Sequence, residues 1–190
     1  MKGIINTCFL LDWVDYKRKD LLKDIFDEVI LLSEIEKEIS DQKARKNIRN
    51  WLEAGFMKFI RPSQRDINDA VELTTNSYLS TLIGEIHYAD ALIMAHAKNT
   101  GIKNVISEDH AVIYLPRHHP PYKEILVLTA GDIILHAVKG GNIKVKSVDD
   151  FVKILDGYQE ETKRRYSTHF VQKLIKSYEG DCLDSQDGSC

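Results

Sequence analysis

The sequence predicts an α/β protein in which a mostly parallel sheet lies between two layers of helices. Two observations support this fold class. Five short apolar runs alternate with longer amphipathic stretches, and this alternation of strand and helix is typical of parallel sheets. In addition, only 10 Gly and 4 Pro occur among the 190 residues, which favours regular elements joined by short connections.

The predicted elements follow from these runs. Each apolar run has the length of a strand that is buried on both faces, as strands of a parallel sheet are. The strands are predicted at residues 3–5, 29–32, 56–60, 104–106 and 125–128. Helices are predicted at residues 8–14, 20–26, 33–54, 63–79, 85–100, 131–138, 147–155 and 158–178.

The length of the chain allows one domain with appendages, since a typical domain has about 100–200 residues. We expect an α/β domain over residues 1–138, a C-terminal helical extension over residues 139–178, and a disordered tail over residues 179–190. The tail carries four acidic residues, no basic residue, and the cysteines Cys182 and Cys190, which are free to pair or to stay reduced.

Composition limits the classes of function. Lys and Arg number 26 against 29 Asp and Glu, so a strongly basic nucleic-acid coat is excluded and any contact with nucleic acid must use local patches. Three cysteines are too few for a disulfide scaffold, and no apolar run approaches the ~20 residues that span a bilayer. We therefore expect a cytoplasmic protein without a membrane partner.

Asp90 is the first candidate functional residue, because it interrupts the apolar face of a predicted helix. In the segment 85–100, Ile86 and Ile93 lie one turn before and one turn after Asp90. A buried carboxylate requires a cation, a metal ion or several hydrogen-bond donors beside it. Hydrogen bonds from a neighbouring loop are the simpler alternative.

Two further acids are expected near the same edge of the sheet. Glu38 borders the sheet-facing side of the predicted helix 33–54, although an exposed pair with a neighbouring lysine is the alternative. Asp109 closely follows the strand 104–106, and parallel sheets bind ligands outside the carboxyl ends of their strands. The alternative for Asp109 is a turn residue or a helix N-cap.

Together, Glu38, Asp90 and Asp109 could converge at one edge of the sheet. Such carboxylates repel one another unless a divalent cation lies among them, and oxygen ligands favour Mg²⁺ or Mn²⁺ over zinc. The predicted chemistry is therefore metal-assisted phosphoryl chemistry. The chain lacks a GxxxxGKS/T loop and a GxGxxG fingerprint, which argues against nucleotide-fuelled or dinucleotide-dependent work.

Four segments resemble, in order and spacing, the PIN-domain family of metal-dependent nucleases, which includes VapC-type toxins and related archaeal proteins. They are residues 4–13, 33–39, 89–97 and 106–109, and the resemblance covers residues 2 to about 135. It implies a three-layer α/β/α domain whose acidic residues hold one or two Mg²⁺ or Mn²⁺ ions and cleave RNA. The residues that match the family's site are Glu38, Asp90 and Asp109, with Thr7 and Ser107 in support.

Asn6 departs from the family's pattern, which normally has Asp at that position. Asparagine keeps one oxygen that can bind a metal ion or a water, but it has no charge and cannot accept a proton from water. We therefore expect weaker metal binding. Three alternatives stay open: an active nuclease that tolerates Asn6, a family member reduced to a binding module, and a nuclease that carries an engineered inactivating change.

The expected reaction is hydrolysis of an RNA phosphodiester by a metal-activated water. Asp90 and Asp109 would hold the principal ion, Glu38 would bind a second ion or position the water, and Asn6 with Ser107 would complete the shell. Two basic runs are candidates for binding the flanking phosphates, although both are also typical of a solvated helix face. They comprise Lys17, Arg18 and Lys19, and Lys43, Arg45, Lys46 and Arg49.

Two other functions remain as alternatives. A noncatalytic PIN-fold module would bind RNA or a protein partner without metal. The toxin of a toxin–antitoxin pair would have its acidic pocket blocked by an antitoxin segment, although the C-terminal extension is unusual for a minimal toxin. A homodimer is an expectation that rests on the resemblance alone.

Overall fold

A computed structural model describes residues 1–37 and 39–184, with side chains described up to residue 180. The strands in this part of the chain form one sheet: β1 (Lys2–Ile5), β2 (Glu28–Leu32), β3 (Met57–Ile60), β4 (Asn104–Ile106) and β5 (Leu126–Leu128). Their order is β3-β2-β1-β4-β5, and every neighbouring pair is parallel. The predicted α/β class with a parallel sheet is thus confirmed.

Helices flank this sheet, consistent with the expected three layers. They are α1 (Thr7–Trp13), α2 (Leu21–Ile25), α3 (Ser33–Glu36), α4 (Gln42–Glu53), α5 (Gln64–Thr75), α6 (Ser77–Ile83), α7 (Tyr88–Thr100), α8 (His110–His118), α9 (Ala130–Lys139), α10 (Val148–Thr162) and α11 (Thr168–Asp184). Among the described helices, none is long and apolar enough to cross a lipid bilayer.

The central strand β1 positions the candidate site. Ile4 pairs in register with Ile30 of β2 and with Val105 of β4, and all three side chains are buried. The main-chain N–H of Asn6 donates to the carbonyl of Ile106 at 2.9 Å, so Asn6 continues the ladder one residue beyond β1. Asn6 therefore lies in the middle of the carboxyl edge of the sheet, where ligands of parallel sheets bind.

Two of the predicted long helices are broken, each at an Asp or Asn that caps the next helix. The predicted helix 33–54 is divided into α3 and α4, and Asp41 accepts the N–H of Ala44 at 2.7 Å to begin α4. The predicted helix 63–79 ends at Asn76, whose side chain accepts the N–H of Leu79 at 3.1 Å to begin α6. The continuous predictions were wrong because these short polar side chains replace the main-chain bonds of a continuing helix.

The sequence also missed α8, which begins after Asp109 and contains Pro116. In the C-terminal region, α10 ends at Lys163, which has the left-handed φ of 60°, and α11 begins at Thr168. The helix α11 continues to Asp184, six residues into the segment expected to be disordered, because a helix nucleated upstream adds residues at low cost. Residues 185–190 lie outside the described residues, as does the side chain of Cys182.

The C-terminal helices share the core of the α/β domain. Phe151, Leu155 and Tyr158 of α10 and Leu174 of α11 are almost fully buried in the same apolar cluster as the strands. Gly131 in α9 allows close packing, since a Cβ there would lie 2.6 Å from Cδ1 of Leu174. The extension is therefore attached through a tight contact between α9 and α11.

Candidate functional site

At the carboxyl edge of the sheet, side chains that follow β1 and β4 meet a side chain from α7. Asn6 follows β1 and caps α1, whereas Ser107 follows β4. Asp109 caps α8, and Asp90 lies in the first turn of α7. Four of the residues predicted from the sequence thus meet at the carboxyl ends of β1 and β4.

Asn6 is the hub of this group. Its amide nitrogen Nδ2 donates to Oδ1 of Asp90 and also to Oγ of Ser107, the latter at 3.1 Å. Its amide oxygen Oδ1 accepts the main-chain N–H of Cys8 at 3.3 Å, which caps α1. The oxygen that was expected to contact a metal ion is therefore engaged with the helix, and the NH₂ group faces Asp90.

Asp90 is buried, as its place on the apolar helix face predicted, with 7% of its surface exposed. Its position in the first turn of α7 stabilises a negative charge, because the N-terminus of a helix carries the positive end of the helix dipole. The amide of Asn6 adds a hydrogen bond. These donors offset the free-energy cost of removing the carboxylate from water.

Asp109 adopts a role that the sequence left as an alternative. Its Oδ1 accepts the N–H of Val112 at 3.2 Å, so it is the N-cap of α8. Its own N–H donates to Oγ of Ser107 at 3.1 Å, and Ser107 in turn is held by Asn6. The second oxygen, Oδ2, makes no hydrogen bond with the described residues, so capping leaves it available to another ligand.

The electrostatic fields of the two acids overlap at Cys8. Cys8 is exposed in part, but the removal of water from around its thiol raises the pKa of this group to about 11. The negative charges of Asp90 and Asp109 are the next largest causes. Both carboxylates therefore act on the same small volume beside α1. Cys8 was not predicted as a site residue, and the only signal was its position two residues after Asn6.

The donor set suits a hard divalent cation in part. Asp90 and Asp109 supply carboxylate oxygens, and the buried hydroxyl of Thr7 has no hydrogen-bond partner among the described residues. Glu38, the third predicted acid, lies outside the described residues. Within the described part of the chain, no group of three or more His, Cys, Asp and Glu side chains is arranged to hold a metal ion.

Glu108 forms a second polar cluster next to the site, which sequence reasoning missed. Its Oε1 accepts the N–H of Ala130 at 2.8 Å and the hydroxyl of Tyr166 at 3.0 Å, and that hydroxyl accepts the N–H of Gly131 at 3.1 Å. Burial raises the pKa of Glu108 above its ordinary value. Its place beside Asp109 was a signal, but nothing in the sequence pointed to Tyr166.

The C-terminal extension also supplies an ion pair to this cluster. Arg164 donates from Nε to Oδ2 of Asp12 at 2.6 Å, and its positive charge favours ionised Glu108. The pair joins α1 to the segment between α10 and α11. Asp12 therefore holds the segment that contains Arg164 against α1, beside the site.

The seven predicted phosphate-binding residues lie in different environments. Lys17 pairs with Glu161 at 3.1 Å and Lys43 pairs with Asp15, so the charge of each is partly neutralised. Arg45 donates to the carbonyl of Ile39 at 2.6 Å and lines, with Arg49, a groove of about 420 Å³. Arg18 and Lys46 are exposed and Lys19 is half-buried.

The comparisons with known proteins leave the geometry as the basis for assigning a function. No protein-family model matches the chain, and neither a curated protein nor a solved structure matches it significantly. Two features of the described residues bear on function. One is the convergence of Asp90 and Asp109 at the carboxyl edge of the parallel sheet. The other is the side-chain amide of Asn6, which donates to Asp90 and to Ser107.

Proposed function

We propose that this chain is a PIN-like, metal-dependent endoribonuclease whose activity is attenuated by Asn6. The observation that supports the proposal is the convergence of Asn6, Asp90, Ser107 and Asp109 at the carboxyl ends of β1 and β4. Acidic side chains at this edge suit the charge-neutralising chemistry that phosphodiester cleavage requires.

Each residue has a distinct role in the proposal. Asp90 and Asp109, with Glu38, would hold Mg²⁺ or Mn²⁺, which supplies charge neutralisation at the scissile phosphate and a lower pKa for its bound water. Ser107 orients both neighbours, because its hydroxyl accepts from Asn6 and from the main chain of Asp109. Thr7, the residue after Asn6, has a buried hydroxyl without a partner among the described residues and would supply a supporting oxygen.

Asn6 explains the proposed attenuation. Its NH₂ group donates to Asp90 and so satisfies the carboxylate without a cation. An aspartate at position 6 would instead place a second negative charge against Asp90, and two facing carboxylates require a cation or a proton between them. The amide therefore removes one unit of cation attraction and competes for the remaining acid.

The substrate is proposed to be RNA, bound in part by exposed basic residues. Arg45 and Arg49 line a common groove next to the segment that contains Glu38, and both side chains are exposed. Their guanidinium groups suit phosphate oxygens. Arg18 and Lys46 are also exposed and are further candidates for binding phosphate. Lys17 and Lys43 would first have to leave their carboxylate partners.

A second candidate is a noncatalytic PIN-like module that binds RNA or a protein partner. The hydrogen bond from Asn6 to Asp90 favours it, because the buried carboxylate is already stabilised without metal. A toxin whose acidic pocket is covered by an antitoxin segment is a variant of the first proposal. Two expectations accompany these proposals: a cytoplasmic location, which rests on the few cysteines and the short apolar runs of the sequence, and a homodimer, which rests on the resemblance alone.

The test compares cleavage of a 5′-labelled single-stranded RNA by three proteins in Mn²⁺: the parent, Asn6→Asp, and Asn6→Asp combined with Asp90→Asn. We expect Asn6→Asp to cleave at least ~10-fold faster than the parent, because it restores a charged ligand. The double variant, which has the same net charge as the parent, should lose that gain. If all three are inactive in Mn²⁺, the nuclease proposal is wrong and the module is favoured.

A further inference from the structure

A groove of about 420 Å³ runs along the strand β5, at the opposite side of the sheet from β3. Its floor is β5 itself, one wall comes from α8, and the other comes from α9 and α11. Leu126 in the floor is 54% exposed, which is unusual for a leucine of a parallel sheet. The groove is thus a partly apolar surface without a cover among the described residues.

The main chain of β5 is open on the groove side. Leu126 donates its N–H to Lys103, and Leu128 accepts from the N–H of Ser107 at 3.1 Å, so both residues direct their main-chain groups toward β4. Adjacent residues of a strand direct these groups to opposite sides, so the N–H and C=O of Val127 face the open edge. One residue therefore offers a donor and an acceptor to an added strand.

The rim of the groove is basic. Arg117, Lys123 and Lys173 line it, and no ion pair engages any of the three among the described side chains. The carboxylate that also lines it, Asp132, accepts the N–H and the hydroxyl of Thr129 and so is already engaged in a helix cap. The charge of the groove is therefore complementary to an acidic ligand.

We propose that this groove binds an extended acidic segment of a partner protein, which adds to β5 as a further strand. The open N–H and C=O of Val127 would pair with its main chain, Leu126 would contact its aliphatic side chains, and the basic rim would pair with its carboxylates. RNA would use the cations of the rim but neither the open strand edge nor the exposed leucine. The combination therefore favours a peptide over a nucleic acid.

The experiment measures fluorescence anisotropy of a labelled seven-residue peptide that alternates glutamate and valine, titrated with the full chain. We expect saturable binding that weakens at least ~5-fold in Val127→Pro, because proline removes the outward N–H without removing a bond to β4. Lys123→Ala combined with Lys173→Ala should weaken it by a similar factor. Lys58→Ala on β3 is the matched control and should bind as the parent does.

A second peptide keeps the test independent of whether Val127→Pro folds. The same sequence with every main-chain nitrogen methylated retains its charge but can donate no main-chain hydrogen bond to the edge of β5, and we expect it to bind the parent at least ~5-fold more weakly. Equal binding of the two peptides, or no saturable binding, would overturn the proposal. So would tighter binding of oligouridylate that depends on Lys123 and Lys173 but not on Val127.

Discussion

The side-chain amide of Asn6 donates a hydrogen bond to the buried carboxylate of Asp90 across 84 residues of sequence. This bond joins the end of the central strand to the first turn of α7. It stabilises a buried acid that would otherwise require a cation, at the position where the proposed nuclease would hold its metal ion. The behaviour of position 6 therefore decides between an attenuated enzyme and a binding module.

The first prediction concerns stability without metal. Asn6→Asp should lower the free energy of unfolding by about 1–3 kcal/mol in EDTA at pH 7, because two carboxylates would face each other in a buried site. Urea denaturation followed by circular dichroism measures this change. Asn50→Asp, at an exposed residue, adds the same charge away from the site and is the matched control. Equal stability of parent and Asn6→Asp in EDTA would show that position 6 does not face Asp90.

The second prediction concerns the buried pair of Asp66 and His96. Burial raises the pKa of Asp66, but hydrogen bonds from His96, Asn99 and Ser63 outweigh it and lower the pKa from 3.8 to about 2. As the pH falls, the unfolded chain takes up the proton first, so stability should fall between about pH 4 and pH 2.

Asp66→Asn tests this prediction, because the variant has no carboxylate to titrate at position 66. It should cost about 2 kcal/mol at pH 7 and show a smaller loss of stability between pH 4 and pH 2 than the parent. Urea midpoints measured across this range give both quantities. A parallel decrease in the two proteins would mean that other carboxylates govern the acid transition.

The third prediction concerns the bond between Glu108 and Tyr166. Burial raises the folded pKa of Glu108, so ionising this group costs stability as the pH rises through its pKa. Glu108→Gln keeps an acceptor for Ala130 and Tyr166 and should therefore be as stable as the parent, or more stable, at pH 7. Tyr166→Phe should lose about 1–3 kcal/mol, because Gly131 and Glu108 each lose a partner.

Thermal unfolding of the two variants at pH 7 measures the difference. The pair is informative because one change removes a charge and keeps the bonds, while the other removes the bonds and keeps the charge. If Glu108→Gln were the more damaging of the two, ionised Glu108 would be a net stabilising group, contrary to the direction of its pKa.

The fourth prediction concerns the packing of the C-terminal extension. Gly131→Ala should destabilise the chain by about 1–3 kcal/mol, because the new Cβ would lie 2.6 Å from Leu174 and 2.9 Å from Phe170. Gly157→Ala in α10 is the matched control, since no atom lies within 4 Å of its Cβ and alanine favours helix. Limited proteolysis should cut the region after residue 140 faster in Gly131→Ala than in the parent, and at the parent's rate in Gly157→Ala. Equal rates would mean that α9 and α11 separate readily.

The sequence predicted the sheet well, because each buried strand is a separate apolar run and parallel pairing follows from the helices between them. It also predicted that Asp90 is buried, because the apolar residues one turn before and one turn after it lie on the same helix face, and that face packs into the core. It did not predict the breaks at Asp41 and Asn76, because a cap residue inside a periodic pattern is compatible with a continuous helix. It missed α8, where Pro116 lies inside the helix.

The site was harder to predict than the fold. The sequence placed Asn6, Ser107 and Asp109 at strand ends, which is local information. It could not show that the amide of Asn6 is turned toward Asp90, because side-chain direction depends on how α7 packs against β1 and β4. Nor could it show that Tyr166 reaches Glu108, since that contact joins residues 58 positions apart through the docking of the extension.

The most direct test of the proposed metal site is a calorimetric titration of the metal-free parent and of Asn6→Asp with Mn²⁺. We predict that Asn6→Asp binds Mn²⁺ at least ~10-fold more tightly than the parent, and that this gain is lost when Asp90→Asn is added. Equal affinities of the parent and Asn6→Asp, or no binding by either protein at millimolar Mn²⁺, would contradict a metal site formed by Asp90 and position 6.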